Sequence, residues 1–247
     1  MSLMKGKKGL IMGVANERSI AWGISQKLAE AGAELAFTYL GDALKKRVIP
    51  LAEKLNSKIT FSCDVEKKDE VIKLFENVKS KLGEIDFVVH AVAFSDKSEL
   101  SGEYLNTSRE NFLKSMLISC FSFTEVSKEA SKIMKDGGSL LTLTYESNKA
   151  IPNYNVMGVC KSALEASVKY LARDLGAKGI RVNAIAPGEI KTDIITPESE
   201  EIIVPKIPLG RFGTPEEVAQ TIYFLCSDMS HYLNGSEIHI NGGQHVR

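Results

Sequence analysis

The sequence has no excess of charge of either sign: 31 Lys and Arg residues are matched by 31 Asp and Glu residues, for a formal net charge of +0 at pH 7. This balance argues against nucleic acid or an anionic membrane as the main partner, because both attract strongly basic proteins. Long apolar runs are also missing, and none approaches the roughly 18 residues that a membrane-spanning helix needs. We therefore expect a protein that neither binds nucleic acid nor enters a membrane.

Cysteine is scarce, and its 4 copies are scattered without a Cys-x-x-Cys pair. The 4 histidines lack the spacing of metal ligands, so neither a disulfide framework nor a metal site is predicted. The basic start of the chain runs directly into a strand-like segment, which is not the pattern of a secretory signal. Together these features predict reduced thiols in a cytoplasmic protein.

Short apolar runs alternate with amphipathic stretches along the whole chain, without a linker, repeat or low-complexity segment. Strands are predicted at residues 9–12, 35–39, 59–63, 87–91, 139–143, 181–185 and 237–240. Helices are predicted at residues 20–30, 43–55, 71–82, 109–134, 154–175 and from 215 onwards. Strands that are apolar on both faces and alternate with helices predict a parallel sheet covered by helices. The expected fold class is α/β: a single-domain, Rossmann-type doubly wound parallel sheet with helices on both faces, over residues 1–247.

The loop after the first strand, from Gly13 to Gly23, lies where a doubly wound sheet binds a dinucleotide. Glycine permits close approach of the backbone, and the helix N-terminus offers N–H groups to a pyrophosphate. The spacing is not Gly-x-Gly-x-x-Gly, so an ordinary strand-to-helix turn with Ser19 as N-cap is the alternative. Asp64, at the end of the third strand, lies where an adenine could bind or is simply a turn residue.

The second strand ends at Tyr39-Leu40-Gly41-Asp42, which bears on the choice of cofactor. The 2′-phosphate of NADP would favour Arg or Lys at this place, and the nearest basic residues, at 45–47, fall inside the next helix. We therefore predict NAD (NADH) rather than NADPH, with a solvated charged helix face as the other interpretation of residues 45–47.

Tyr154 and Lys161 are seven residues apart in a predicted helix. Seven residues are nearly two turns, so both side chains project from one face. A Lys ammonium beside a phenol favours the phenolate, and it also supplies donors for ribose hydroxyls. The pair occurs by chance in many helices, but together with the upstream loop it predicts a hydride-transfer site.

Six stretches of the chain resemble the short-chain dehydrogenase/reductase superfamily and, within it, the bacterial enoyl-acyl-carrier-protein reductases of type II fatty acid elongation. They are Gly13…Ser19-Ile20-Ala21-x-Gly23, Cys63-Asp64-Val65, His90-Ala91-Val92-Ala93-Phe94, the run over residues 102–109, Leu141-Thr142-Leu143-Thr144-Tyr145 and Pro152-Asn153-Tyr154-Asn155-Val156-Met157-Gly158. The helix around Met116 to Ser119 lacks the Asn of ordinary members, which favours the enoyl reductase branch over ketoreductases.

The resemblance implies an activity and a set of site residues. Tyr154 would be the catalytic phenol, Lys161 would hold the nicotinamide ribose, and Tyr145 would be a second active-site tyrosine. Hydride would pass from NADH to C3 of a trans-2-enoyl thioester on an acyl carrier protein, in a homotetrameric enzyme. The implied cofactor contacts are Gly13, Ser19, Ile20, Asp64, Val65, Ala91, Lys161, Ile190 and Thr192.

The chain departs from the family in its last third. Glu189 occupies a position where proline is expected near the nicotinamide, and it is interpreted either as a solvated loop residue or as a carboxylate of the site. The substrate lid, at about residues 193–211, is short, although Lys191, Lys206 and Arg211 could form a basic patch for an acidic carrier protein. Residues 208–218 resemble the tail of ketoreductases. Another short-chain reductase, of a 3-ketoacyl thioester or carbonyl, and a non-catalytic dinucleotide-binding sensor therefore remain alternatives.

Overall fold

The apolar runs form the strands of one sheet in a computed structural model, which describes residues 3–147, 149–191 and 197–246. The strands are β1 (Lys8–Met12), β2 (Glu34–Tyr39), β3 (Thr60–Ser62), β4 (Phe87–His90), β5 (Gly138–Leu143), β6 (Ile180–Pro187) and β7 (Glu237–Ile240). The helices are α1 (Ile20–Glu30), α2 (Gly41–Lys54), α3 (Lys68–Leu82), α4 (Arg109–Met116), α5 (Ser122–Ala130), α6 (Asn155–Gly176), α7 (Pro197–Ile203) and α8 (Pro215–Cys226).

All neighbouring strands are parallel, in the order β3-β2-β1-β4-β5-β6-β7, so the predicted doubly wound fold is confirmed. Successive strand residues point to opposite faces of a sheet, and both faces here are apolar. Leu10 belongs to a buried core with α3, α5 and α6, whereas its neighbour Ile11 belongs to a second core with α1, α2 and α8. This explains why the strands are apolar throughout rather than alternating.

The chain reverses its direction of winding at β1, which pairs with β2 on one side and with β4 on the other. Met12, the last residue of β1, is in register with His90, the last residue of β4. Loops that leave two neighbouring strands in opposite directions open a crevice at their carboxyl ends, and ligands of such sheets bind there.

The helix predicted over residues 109–134 is wrong in detail. Its first part, α4, is followed by a π-helical segment, Leu117–Phe121, and α5 ends at Ala130. Within the π-helical segment, the hydroxyl of Ser119 accepts a hydrogen bond from the Phe94 N–H and donates one to the Phe94 carbonyl, both at 2.9 Å. The π-helical segment, which contains one extra residue per turn, therefore lies where the helix is hydrogen-bonded to the loop after β4.

Two other expectations concern the chain after β6. The predicted lid contains a short helix, α7, which periodicity did not indicate. Thr192 and lid residues 193–196 lie outside the described residues. Over the described ranges, no helix combines the length and the apolar composition that crossing a bilayer requires.

Candidate active site

A cavity of about 360 Å³ opens at the carboxyl ends of β1 to β4, in the crevice that the topology creates. The structure brings together there four of the predicted cofactor residues, Gly13, Asp64, Val65 and Ala91. They come from the ends of three strands and meet because parallel strands present their carboxyl ends to one edge of the sheet. The cavity fits an elongated, partly apolar ligand such as the adenosine half of a dinucleotide.

Gly13 shows why glycine is needed at this edge. Its backbone has φ of +99°, which L side chains rarely adopt, and a Cβ placed on it would lie 2.0 Å from the Ala91 carbonyl oxygen. The ends of β1 and β4 can therefore approach each other only when residue 13 has no side chain. The missing side chain of Gly13 also leaves room for a ligand phosphate beside the backbone at this edge of the sheet.

The N-terminus of α1 follows this loop and is capped by Ser19. The Ser19 hydroxyl accepts a hydrogen bond from the Trp22 N–H at 3.3 Å and donates one to the Asn16 carbonyl at 2.8 Å. The N-cap interpretation of Ser19 is thus confirmed. The N–H of Ile20, the first helical residue, has no acceptor inside a helix, as at any helix start. A phosphate contact at Ser19 or Ile20 stays a prediction.

The ends of β2 and β3 form the outer wall of the cavity. Tyr39 and Leu40 line it, whereas the basic residues 45–47 are exposed on α2 and do not. Lys114 is the basic residue among those that line this cavity. Its Nζ lies 3.5 Å from the Glu66 carboxylate. The wall thus offers carboxylates and apolar groups rather than an unpaired cation, which favours a ribose with free hydroxyls over a 2′-phosphate.

Tyr154 is the N-cap of α6, with a non-helical backbone, and Lys161 lies within the helix. That their side chains project from one face stays a prediction. The helix begins abruptly because the residues on either side of Tyr154, Asn153 and Asn155, have φ of +59° and +31°. Asn tolerates this region better than other non-glycine residues. The Asn155 amide also donates to the Glu99 carbonyl at 3.1 Å, which ties the helix start to the loop after β4.

The Lys161 ammonium is buried, and it donates to the carbonyl of Leu143, the last residue of β5, at 2.8 Å. Burial lowers the pKa of Lys161 to about 8, so the side chain is mostly charged at pH 7. Two of its three N–H donors are left for other acceptors, which suits a role in holding ribose hydroxyls.

The Tyr154 phenol behaves differently from the expectation that Lys161 favours its phenolate. Burial raises the pKa of Tyr154 above its ordinary value, with smaller contributions from Cys160 and Glu165, and Lys161 does not offset this. Loss of water disfavours the charged phenolate, and the Lys161 ammonium is directed to Leu143 instead. Tyr154 is therefore a neutral hydrogen-bond donor at pH 7.

Tyr145 lies beside Tyr154. The two ring centroids are 5.1 Å apart and the rings are tilted by 55°. The Tyr145 hydroxyl donates to a carboxylate oxygen of Glu189 at 2.9 Å. Glu189 is therefore half-buried and bonded to a predicted site residue, rather than a solvated loop residue.

Sequence reasoning missed Glu165, which lies one helical turn after Lys161. Its buried carboxylate accepts hydrogen bonds from the Thr144 hydroxyl at 2.6 Å and from the Ser147 hydroxyl. These two residues flank the loop that carries Tyr145. A Glu four residues after the Lys of a Tyr-x6-Lys pair could have been found as a carboxylate on the same helix face.

His90, at the end of β4, is a structural residue. Its ring nitrogens lie 3.3 Å from the Thr142 hydroxyl and 2.9 Å from the Ser122 hydroxyl. Burial, with a smaller effect of the Lys161 charge, lowers the pKa of His90 to about 3, so the ring is neutral at pH 7. It joins β4 to β5 and α5 rather than serving as a base.

The chain is similar to known proteins over nearly its whole length. A family model described as enoyl-(acyl carrier protein) reductase matches residues 13–245. The NADH enoyl-acyl-carrier-protein reductase 1 of Rhizobium meliloti is 53% identical over 250 residues, which cover 99% of this chain and 92% of the relative. The corresponding protein of Bacillus cereus is 46% identical over 258 residues, covering 100% and 99% of the two chains.

The chain belongs to the enoyl-acyl-carrier-protein reductase family.

Two solved structures of the family share the fold closely. The Bacillus cereus reductase, crystallised with NADP+ and an indole naphthyridinone, superposes with a TM-score of 0.96 at 45% identity and covers 100% of this chain and 99% of its own. The reductase from Anaplasma phagocytophilum in complex with NAD has a TM-score of 0.93 at 49% identity, with 99% and 94% covered. The family match extends through residue 245, so it includes the C-terminal segment that resembles ketoreductases.

The remaining predicted site residues of this enoyl reductase family member, Ile190 and Thr192, and the proposed basic patch follow β6 in the sequence. Ile190 is buried, and its neighbour Lys191 donates its backbone N–H to the Gly213 carbonyl at 2.8 Å. Of the proposed basic patch, Arg211 is already paired with Glu217 through two hydrogen bonds of 2.9 and 2.6 Å. Lys191 lies 3.9 Å from Glu200, and Lys206 is exposed.

Proposed function

We propose that the protein is an NADH-dependent reductase of trans-2-enoyl thioesters carried by an acyl carrier protein, acting in the elongation cycle of fatty acid synthesis. The observation that carries this proposal is the half-buried Tyr154 phenol, neutral at pH 7, at the N-cap of α6, the helix that also carries the buried Lys161 ammonium. The family assignment supports the substrate class, and the curated relatives named above are NADH enzymes.

The residues at the carboxyl edge of the sheet are suited to hold the cofactor. Gly13 and the start of α1 would receive the pyrophosphate, and Asp64 with Val65 would border the adenine. Ala91, Ile190 and Thr192 complete the proposed contacts. When bound, NADH supplies the hydride that is added to C3 of the substrate.

Tyr154 and Lys161 supply the electrostatic part of the reaction. Hydride addition at C3 moves an electron pair through C2 onto the thioester oxygen, and the Tyr154 hydroxyl stabilises the developing charge by hydrogen bonding. The Lys161 cation holds the nicotinamide ribose and adds positive potential to the site. C2 then takes a proton, so that one hydride and one proton are added across the double bond.

Substitution of Tyr154 by Phe tests the assignment directly. Crotonyl thioester and acetoacetyl thioester are offered with NADH and with NADPH while absorbance at about 340 nm is followed, the nicotinamide band on which the assay rests. We expect oxidation of NADH with the crotonyl substrate, and a loss of kcat of about 10² to 10³ in Tyr154→Phe. Tyr170→Phe is the matched control, because Tyr170 lies on the same helix and is exposed.

The outcomes separate the alternatives. Full activity in Tyr154→Phe contradicts the role of the phenol. Turnover of the ketone alone would make the protein a 3-ketoacyl or carbonyl reductase, and no turnover of either would favour a dinucleotide-binding sensor. We further propose that the protein is a homotetramer, which analytical ultracentrifugation tests, and that it lies in the cytoplasm, which cell fractionation tests.

A further inference from the structure

Glu189 is held on several sides by the residues around it. Its backbone N–H donates to the Gln244 side-chain oxygen at 3.2 Å, and its carbonyl accepts from the Gly213 N–H at 3.0 Å. Its carboxylate accepts from the Tyr145 hydroxyl at 2.9 Å. The residue is half-buried, so a carboxylate placed there is oriented by the protein rather than by solvent.

The contact decides what Tyr145 can do. A phenol has one proton to donate, and in Tyr145 that proton is directed to Glu189. Tyr145 is then not available as a second donor to the substrate oxygen, a role that two adjacent active-site tyrosines would otherwise share. Its ring instead packs against the ring of Tyr154, with 5.1 Å between centroids.

Glu165 holds the other side of the same loop. The Thr144 hydroxyl, one residue before Tyr145, donates to Glu165 at 2.6 Å. Tyr145 therefore lies between two carboxylates, of which Glu165 fixes its backbone neighbour and Glu189 fixes its hydroxyl. This arrangement orients the Tyr145 ring against the catalytic phenol.

We propose that Glu189 is a positioning residue for enoyl reduction. By accepting a hydrogen bond from the Tyr145 hydroxyl, it holds the Tyr145 ring against Tyr154. Tyr154 is then the sole phenol that donates to the thioester oxygen. The proposal rests on the proposed function. The family resemblance leads us to expect proline at this position, so the carboxylate of Glu189 is a departure of this chain from the expected pattern.

A double-mutant cycle tests the proposal, using crotonyl thioester and NADH with Glu189→Ala, Tyr145→Phe and the double variant. Misplacing a reacting group costs catalysis more than binding. We therefore expect each single variant to lose about fivefold to tenfold in kcat with KM within about twofold. The double variant should lose no more than the poorer single variant, because both remove the same hydrogen bond.

Glu189→Gln keeps an acceptor for the Tyr145 hydroxyl and should retain kcat within about twofold. Glu30→Gln, which removes the same charge at the exposed end of α1, should match the wild type. If Glu189→Ala does not fold, Glu189→Gln and Tyr145→Phe alone still discriminate, because the first should be active and the second impaired.

Three results would overturn the proposal: unchanged kcat in Glu189→Ala or in Tyr145→Phe, losses that multiply in the double variant, or a Glu189→Gln protein as impaired as Glu189→Ala. A second cycle, on free energies of unfolding, reports the hydrogen bond without using activity. A wild-type protein that shows this coupling but does not reduce crotonyl thioester refutes the proposed function and the positioning role with it. An active wild-type protein without this coupling refutes the positioning role and leaves the proposed function standing.

Discussion

Adding one methyl group at Gly13 should damage the cofactor edge of the sheet far more than the same change at a glycine of similar backbone conformation. Gly13→Ala places a Cβ 2.0 Å from the Ala91 carbonyl oxygen, whereas ordinary contact begins at 3.4 Å. The ends of β1 and β4 would have to separate by the difference, about 1.4 Å. Gly6 is the matched control, because its φ is +81° and a Cβ there meets nothing within 4 Å.

The magnitude follows from two separate costs. A left-handed backbone costs an L residue roughly 1–2 kcal/mol, partly offset by the lower chain entropy of Ala in the unfolded state. Both variants bear this cost, so Gly6→Ala should lose about 1 kcal/mol in the free energy of unfolding. Forcing a group into a packed contact adds typically 1–3 kcal/mol, so Gly13→Ala should lose about 2–4 kcal/mol.

Urea unfolding of both variants at one protein concentration measures the difference, since the stability of an oligomer depends on concentration. Titration with NADH gives a second measurement, in which Gly13→Ala should bind at least about tenfold more weakly because the moved backbone blocks the pyrophosphate position. Equal losses of stability and equal NADH affinity in the two variants would refute the reasoning.

Two further predictions concern lysines. Lys161→Met should abolish reduction yet raise the free energy of unfolding at pH 7 by about 1–3 kcal/mol, because burial lowers the pKa of Lys161 from 10.5 to about 8 and so makes its charge costly in the folded state. Between about pH 8 and pH 10.5 the unfolded wild type binds more protons than the folded wild type, so the stability of the wild type rises with pH through that window. The stability advantage of Lys161→Met over the wild type should therefore shrink as the pH rises. An advantage independent of pH would contradict this. Lys206→Glu should raise KM several-fold for carrier-protein substrates at low salt and leave crotonyl-CoA unchanged, because only the acidic carrier needs the exposed cation; equal effects on both substrates would contradict it.

The sequence predicted the elements whose formation depends on neighbours along the chain. The strands and most helices were found within a few residues because apolar periodicity reports the buried face of each element. The pair Tyr154 and Lys161 was predicted from helical spacing, and the structure places Lys161 within α6 and Tyr154 at its N-cap. The Gly13 loop followed from its place after the first strand.

Contacts between distant segments were not predictable in this way. Glu189 and Tyr145 are 44 residues apart, and nothing in either local sequence indicates that their side chains meet. Periodicity likewise extended the helix from residue 109 too far and missed its π-helical segment, because the tie between Ser119 and Phe94 forms only when the loop after β4 packs on it.

The sequence by itself therefore determined the fold class and the position of the crevice at the carboxyl edge of the sheet, because both depend on local patterns and on the topology of a parallel sheet. It also supplied Tyr154 and Lys161 as the proposed catalytic pair. Only the tertiary structure decided the state of the site. Burial, which is a property of the assembled core, keeps Tyr154 protonated and lowers the pKa of Lys161. The loop after β6 packs against the end of β5 and brings Glu189 to Tyr145, so the Tyr145 hydroxyl donates a hydrogen bond to Glu189.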